Sequence, residues 1–493
     1  MFIPAILILA GQKTYGRNKH NVPIYKCIPD DLELGPMLVP YKLKTMGFSK
    51  VFVNLYVVVT RKDEKHGVLA NVVGPVDSLD AFYEYQIICK KLNVSLNQLT
   101  RTINQKKINQ HLTFTKDWKT QYGIQDCTST MVYTIDPSGC ADFDDAFSIK
   151  HDASQCILTV YIANVPVILD TYSLWQSLSD RVATIYLPGG VKRPMLPPIL
   201  SEGLCSLKAG QDRVAFAMEF SLSASSSNLI YVRHFNCIVN VNRNFVYEEP
   251  DLLQNPSYQL LQQNCKEIKD SHDMVAHMML AMNAQSGKLL MDKHCGIFRT
   301  VTKDTDAVTK DKDTDAVTKD TDAVAKFISN WKCMHGQYTA YNADTATQYH
   351  HAALNLDAYA HITSPIRRLV DTINMSLLSL PLINVGLYET WLDRMDHLNK
   401  QMKAVQKVQN TCMLLEKVTN CPELLKQHFT GHVFDSDSSS SSQVMVYIPE
   451  LNITSKFTAA KDMTATVKGQ GQFKVFLFSD EFNIPKKIRI MQI

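Results

Sequence analysis

A chain of 493 residues, 45% hydrophobic and 20% charged, has material for about two to four folding units and is too apolar for general disorder. Its formal net charge of +3 is too small to name a partner, yet residues 1–125 hold 17 Lys and Arg against 9 Asp and Glu, so attraction to a polyanion belongs at that end. No apolar run reaches a membrane span, and the twelve cysteines include no Cys-x-x-Cys pair, which points to reduced thiols in an intracellular protein rather than a disulfide framework or a zinc site.

In chain order, the apolar stretch Phe2 to Ala10, interrupted by Pro4 and lacking a basic flank, reads as a first strand rather than a leader. Strand-like runs Pro4 to Leu9, Pro36 to Leu43, Val51 to Thr60 and Gly67 to Val73 predict a small barrel or sandwich. A helix is expected from about Asp80 to Asn93. Arg101 to Lys119, polar and basic with no clear period, reads as a linker or an RNA-facing segment. Met131 to about Ser223 is strand-rich. Two further helices are expected, His272 to Met291 and Thr390 to Leu415, and the second carries an apolar stripe, Leu392, Met395, Leu398, Met402, Val405, Val408, Cys412 and Leu415, that signifies core packing and no chemistry of its own. Between them Thr302-Lys-Asp-Thr-Asp-Ala-Val308 recurs as Thr318-Lys-Asp-Thr-Asp-Ala-Val324, a polar unit too short for a solenoid and read as a charged surface insertion over 302–325. The Ser-rich stretch Asp435 to Ser442 reads as a loop between strands Phe429 to Phe434 and Gln443 to Ile448. With Lys474 to Phe478 and Lys487 to Ile493 these make a second small barrel.

The most informative stretch is Thr134 to Ile149, where Asp136, Asp142, Asp144 and Asp145 fall within ten residues. Crowded carboxylates repel, and a divalent cation relieves them; an all-oxygen donor set selects a hard ion such as Mg²⁺ or Mn²⁺. A solvated acidic loop is the plainer alternative. Against it, Met131 to Ile135 and Ala146 to Ile149 are apolar and β-branched, so the aspartates are expected between two buried strands. A calcium loop of the EF-hand type is excluded, because counting from Asp142 the sixth position is Phe147 and the twelfth Ala153.

Several segments together resemble the RNB family of exoribonucleases. Asp136-Pro-Ser-Gly-Cys-Ala-Asp-Phe-Asp-Asp-Ala146 is similar to the family's metal loop. Ala183-Thr-Ile-Tyr-Leu-Pro188, Pro194-Met-Leu-Pro197, Leu200-Ser-Glu-Gly-Leu-Cys-Ser-Leu207 and Asp212-Arg213 follow in the family's order, and Thr363-Ser-Pro-Ile-Arg-Arg368 and the helix beginning Leu398-Asn399 complete the set. The repeats suit a divergent viral or parasite member. The resemblance implies an α+β fold, an RNB catalytic domain flanked by small OB-like β-barrels, with an OB or cold-shock-like region and basic linker at 1–112, the catalytic domain at 113–427 and a C-terminal barrel at 428–493.

The resemblance further implies a metal-dependent 3′-to-5′ exoribonuclease that hydrolyses single-stranded RNA to nucleoside 5′-monophosphates. Two Mg²⁺ ions, replaceable by Mn²⁺, would be held by Asp136, Asp142, Asp144 and Asp145, with Asp144 essential to turnover. Arg367 would clamp the phosphate at the scissile bond, and Tyr186 would stack on the terminal base. Arg368, Ser364 and Gln409 would add RNA contacts, Gln409 at the ribose 2′-OH. A monomer acting alone or in an RNA-processing complex, without a membrane, in the cytoplasm or the nucleus, fits this implication. The alternatives are a weak or inactive RNB scaffold that binds RNA within a processing complex, and a DNA exonuclease or other metal phosphodiesterase. For single residues, Arg367 and Arg368 are alternatively a helix-start ion pair with Asp371, and Tyr186 is alternatively core packing. The chain departs from the family at Asn164, where an Asp is usual, at Gln409 in place of Glu, at Leu369 in place of an aromatic, and at the repeat, which leaves Phe327, Trp331 and Tyr338 as candidates for a second aromatic clamp.

Overall fold

The computed structural model describes residues 2–43, 52–109, 115–152, 155–190, 192–222, 229–264, 268–300, 336–343, 349–351, 354–381, 385–436, 443–451, 453–458, 469–478 and 487–493. The repeat at 302–325, with Phe327 and Trp331, and the serines at 438–442 lie outside them. The fold is α+β, and no helix of the described residues is long and apolar enough to cross a membrane.

Residues 2–75 form an antiparallel sheet of β1 (Phe2–Leu7), β2 (Ile24–Pro29), β3 (Met37–Pro40), β4 (Leu55–Arg61) and β5 (Gly67–Pro75), in the order β3-β2-β1-β4-β5. The ends meet where the Leu38 N–H donates to the Lys65 carbonyl at 2.8 Å beside a parallel bridge between Leu38 and His66, so the sheet curls into an OB-like barrel. Alternation along β1 sends Ile3, Ala5 and Leu7 inward onto Tyr25, Cys27, Val39 and Val57, while Ile6 and Ile8 face the helix Leu79–Cys89. That helix starts where Ser78 Oγ accepts from the Ala81 N–H at 3.3 Å.

The stretch expected as a linker at 101–119 is largely helical where described. Helices Asn97–Gln105 and Lys116–Gln121 bury Leu99, Ile103 and Trp118 in the central core. Two buried apolar residues in the first helix and one in the second anchor them, too few for a period to show in so polar a text.

The central sheet contains β6 (Gln125–Asp126), β7 (Val132–Asp136), β8 (Asp145–Asp152), β9 (Gln155–Ala163), β12 (Asp212–Leu222) and β13 (Leu229–Val246), in the order β12-β9-β8-β7-β13-β6. Because β12 also pairs with β13, the sheet closes on itself. One face packs Val132, Ala146 and Val214, the other Tyr133, Ile135 and Phe147, so the strands beside the aspartates are buried on both faces, as the apolar flanks require. A ribbon of β10 (Ile185–Tyr186) and β11 (Lys192–Arg193) and a hairpin of β14 (Ile297–Thr300) and β15 (Gln337–Ala340) sit outside the sheet. The repeat falls between β14 and β15.

The helix Ser271–Asp292 is capped by Asp270, whose Oδ1 accepts from the Asp273 N–H at 2.7 Å. At Gly287 a Cβ would come within 2.8 Å of the Ala358 carbonyl group, so only glycine lets this helix lie so close to the segment leading into Thr363 to Arg368. The long helix Met395–Asn420 buries apolar residues in three places: Leu398 in the central core, Val405, Val408, Cys412 and Leu415 against the N-terminal barrel side, and Leu414 and Val418 against the C-terminal one. There β16 (Phe429–Ser436), β17 (Gln443–Ile448), β18 (Ile453–Thr458), β19 (Gly469–Phe478) and β20 (Lys487–Gln492) repeat the first barrel's strand order, β18-β17-β16-β19-β20.

Candidate active site

Strand β7 ends at Asp136 and β8 begins at Asp145, so these two carboxylates sit at neighbouring strand ends while Asp142 and Asp144 ride on the connecting loop. The loop turns at Gly139, whose φ of +80° is the left-handed region that glycine tolerates. Ser206 pins it from outside: its Oγ accepts from the Phe143 N–H at 3.0 Å and donates to the Ala141 carbonyl at 2.8 Å. The Arg213 Nε–H donates in turn to the carbonyls of Gly203 and Ser206, each at 3.1 Å. The Leu-Cys-Ser-Leu and Asp-Arg segments therefore shape the aspartate loop, a role that the sequence reading did not give them.

The four carboxylates meet different fates. Asp144 is buried; its Oδ1 accepts from the Ile366 N–H and its Oδ2 from Arg367 Nε, both at 2.9 Å. Burial pushes its carboxyl up to about 7, and the Arg367 guanidinium opposes the rise. Asp142 Oδ1 lies 3.2 Å from Lys192 Nζ, and its Oδ2 accepts from the Tyr186 hydroxyl at 3.5 Å. Asp136 Oδ2 is buried with no hydrogen-bond partner. Burial, with Asp144 nearby, pushes Asp136 up to about 7, and burial with Asp136 nearby does the same to Asp145. Like-charged carboxyls, one with an orphaned oxygen, fit a hard divalent cation. Among the described residues no group of three His, Cys, Asp or Glu side chains lies close enough together to hold a metal, and Asp142 and Asp144 face the side chains of Lys192 and Arg367.

The two arginines turn to different carboxylates. Arg368 makes the helix-start ion pair with Asp371 at 2.8 Å, at the first turn of the helix Leu369–Ser379, whereas Arg367 turns to Asp144 with its side chain 46% exposed. Ser364 is buried; its N–H donates to Asp371 Oδ1 at 2.8 Å and its carbonyl accepts from the N–H groups of Arg367 and Arg368, so it shapes the turn rather than offering a surface to RNA. That turn also clips down the segment carrying Tyr186: the Thr184 N–H donates to the Arg367 carbonyl and the Leu369 N–H to the Val182 carbonyl, both at 2.9 Å.

Tyr186 is 41% exposed, so it is not core packing. Its backbone N–H donates to Gln409 Oε1 at 3.1 Å, so the long helix, assigned packing alone from its stripe, also holds the tyrosine in place. Asn164 is buried behind the sheet, where Oδ1 caps the helix Val165–Thr171 by accepting from the Val167 N–H at 3.2 Å and Nδ2 donates to Asn236 Oδ1 at 2.9 Å. Its amide therefore serves the scaffold. Tyr338 is buried, its hydroxyl 2.8 Å from His361 Nδ1 and its ring 4.7 Å from the Arg299 guanidinium, so it packs in the core and is no open clamp.

Two neighbours escaped the sequence reading. Lys192 lies opposite Tyr186 in the β10–β11 ribbon, and its position between the Tyr-Leu-Pro and Pro-Met-Leu-Pro segments was the available signal. Tyr247 follows Val246, which pairs with Asp136 in parallel register. Its ring stacks on His272 at 3.7 Å, and burial together with Asp145 and Asp136 pushes its phenol up to about 12. Parallel pairing across 110 residues leaves no local trace.

The family model described as RNB domain matches residues 124–258 and 251–384. Ribonuclease R of Mycoplasmopsis pulmonis is 25% identical over 223 residues, 45% of this chain and 30% of that protein, so the chain spans well under half of this relative's length. Among solved structures, RNase R of Mycoplasma genitalium in complex with ribose-methylated single-stranded RNA superposes with a TM-score of 0.70 at 15% identity, covering 100% of this chain and 90% of that one. Yeast Ssd1, described as a pseudonuclease, superposes with a TM-score of 0.63 at 14% identity, covering 97% and 68%.

Proposed function

The chain belongs to the RNB family, and from that premise we propose that it is a metal-dependent 3′-to-5′ exoribonuclease that hydrolyses single-stranded RNA to nucleoside 5′-monophosphates. The observation that carries the reading is the convergence of Asp142, Asp144, Tyr186 and Arg367, with Asp144 and Arg367 223 residues apart, beside the close pair Asp136 and Asp145. Phosphodiester hydrolysis needs an activated water and relief of negative charge on the phosphate and the leaving 3′ oxygen. Asp136 and Asp145 would hold a hard cation such as Mg²⁺, which would supply the first and part of the second. Arg367, fixed through Nε by Asp144, presents its exposed guanidinium edge to a phosphate. The Tyr186 ring, anchored at its backbone by Gln409 and at its hydroxyl by Asp142, offers a stacking face for any terminal base.

The second reading, an RNB scaffold that binds RNA without cutting it, draws on the likeness to yeast Ssd1 and on the cation contacts of Asp142 and Asp144. All four aspartates favour the nuclease. The test is a 5′-labelled single-stranded RNA incubated with the chain and Mg²⁺ beside the Asp144→Asn variant. A ladder shortening from the 3′ end, absent in the variant while RNA is still bound, is expected. No shortening with Mg²⁺ or Mn²⁺ selects the scaffold, and equal degradation of a matched DNA oligomer removes the restriction to RNA.

A further inference from the structure

Asp142 already has a cation. Lys192 Nζ lies 3.2 Å from Asp142 Oδ1 and 2.8 Å from Glu202 Oε1, bridging the aspartate loop to the Leu200 to Leu207 segment. Exposure of 9% for the Asp142 side chain and 26% for that of Lys192 shields the pair from solvent, so salt screens it less than a surface contact. The other oxygen of Asp142 receives the Tyr186 hydroxyl, and its ribbon partner is that same tyrosine's neighbour across the strands, since Tyr186 pairs with Lys192. Surrendering Asp142 to a metal ion would break a charge-assisted contact and turn an ammonium toward the incoming cation. Asp136 differs: its Oδ2 is buried and unpaired.

We propose that the ammonium of Lys192 takes the place of a second divalent cation beside Asp142, so that the centre accepts one divalent ion, at Asp136 and Asp145, and draws its second positive charge from the chain itself. The part of this inference that concerns the phosphate rests on the nuclease reading; the number of metal ions does not. A lysine cannot ionise water as a metal does, so its work is charge relief beside the base-stacking tyrosine, while water activation stays with the Asp136 and Asp145 side. Being covalently held, it is also present at any metal concentration.

The experiment titrates Mn²⁺ into the full chain and follows free ion by electron paramagnetic resonance. One equivalent is expected for the wild type and for Lys192→Arg, and none at the same affinity for Asp136→Asn. A second, weaker equivalent is expected for Lys192→Met, in which Asp142 and Glu202 have lost their cation. Lys192→Gln, whose amide keeps hydrogen bonds to both carboxylates without the charge, gives the same gain if the methionine variant folds poorly. Two equivalents in the wild type, one of them lost in Asp142→Asn, overturn the proposal. RNA cleavage is assayed separately: a chain that takes one Mn²⁺ and cuts nothing keeps this inference and loses only the nuclease.

Discussion

The strand-end aspartates and the loop aspartates are chemically unlike, although they lie within one run of ten residues. Asp136 and Asp145 are fixed by β7 and β8, whose backbone bonds hold them beside each other whatever their side chains want, and burial pushes both up to about 7, as it does Asp144. Asp142 and Asp144 sit on the connecting loop, and each has found a basic partner, Lys192 or Arg367. The difference teaches that a cluster of like charges is resolved residue by residue: the strand-end members keep their repulsion for an external cation, and the loop members are neutralised from within.

The largest expected effect is on turnover. Asp144→Asn and Arg367→Ala each lower kcat/KM by on the order of 10²-fold to 10³-fold or more, because the guanidinium loses either its anchor or itself, and Arg367→Lys does not restore it since a point ammonium cannot serve carboxylate and phosphate together. Single-turnover kinetics on a short RNA measures this. Equal loss in Arg367→Lys and Arg367→Ala sharpens the role of the planar fork, whereas full activity in either breaks it.

Stability without metal distinguishes the two kinds of aspartate by sign. Asp136→Asn removes a repelling charge and is expected to raise stability by about 1 kcal/mol, while Asp142→Asn strips Lys192 of a partner and lowers it by about 1–3 kcal/mol. Denaturant titration in a chelator, then with Mg²⁺, checks both; the Mg²⁺-induced gain should vanish in Asp136→Asn. The same sign for the two variants would erase the distinction.

Smaller effects follow for the tyrosine. Tyr186→Ala is expected to weaken binding of the RNA 3′ end by about 1–3 kcal/mol, and Gln409→Ala, which frees only its backbone anchor, by about 1 kcal/mol, read as Kd on the Asp144→Asn background. The smallest effect belongs to Asp180, held by Arg394 at 2.8 and 2.9 Å outside the loop. Arg394 holds the Asp180 carboxyl below its usual range, so its contribution is present above the ordinary carboxylate pKa and lost as pH falls through the lowered one. Half exposed, the pair is worth about 0.2–1 kcal/mol, and Asp180→Asn should change stability by that much at neutral pH and by nothing in acid.

Much of the scaffold was legible because it follows local rules. The apolar runs Phe2 to Leu7 and Gln443 to Ile448, the stripe on Met395–Asn420 and the apolar flanks of the aspartates each report burial, and each element formed near where the pattern placed it. The helices Asn97–Gln105 and Lys116–Gln121 were missed because their anchors, Leu99, Ile103 and Trp118, are too sparse to show a period. At the site, the residue types were legible and their partners were not. Ser364 and Tyr338 looked like surface contacts and are buried, and Asn164 looked like a lost ligand and is a helix cap.

By itself the sequence determined the buried strands around Asp136 and Asp145, the barrel-forming ends and the motifs that supply Tyr186 and Arg367, because burial and backbone preference are written in spacing. Only the tertiary structure decided which cation each carboxylate meets. Asp144 finds Arg367 across 223 residues, Asp142 finds Lys192 across 50, and Gln409 reaches Tyr186 across 223. Charge pairing depends on distance and on exclusion of water, and neither exists until the loop, the ribbon and the long helix have been packed against one sheet.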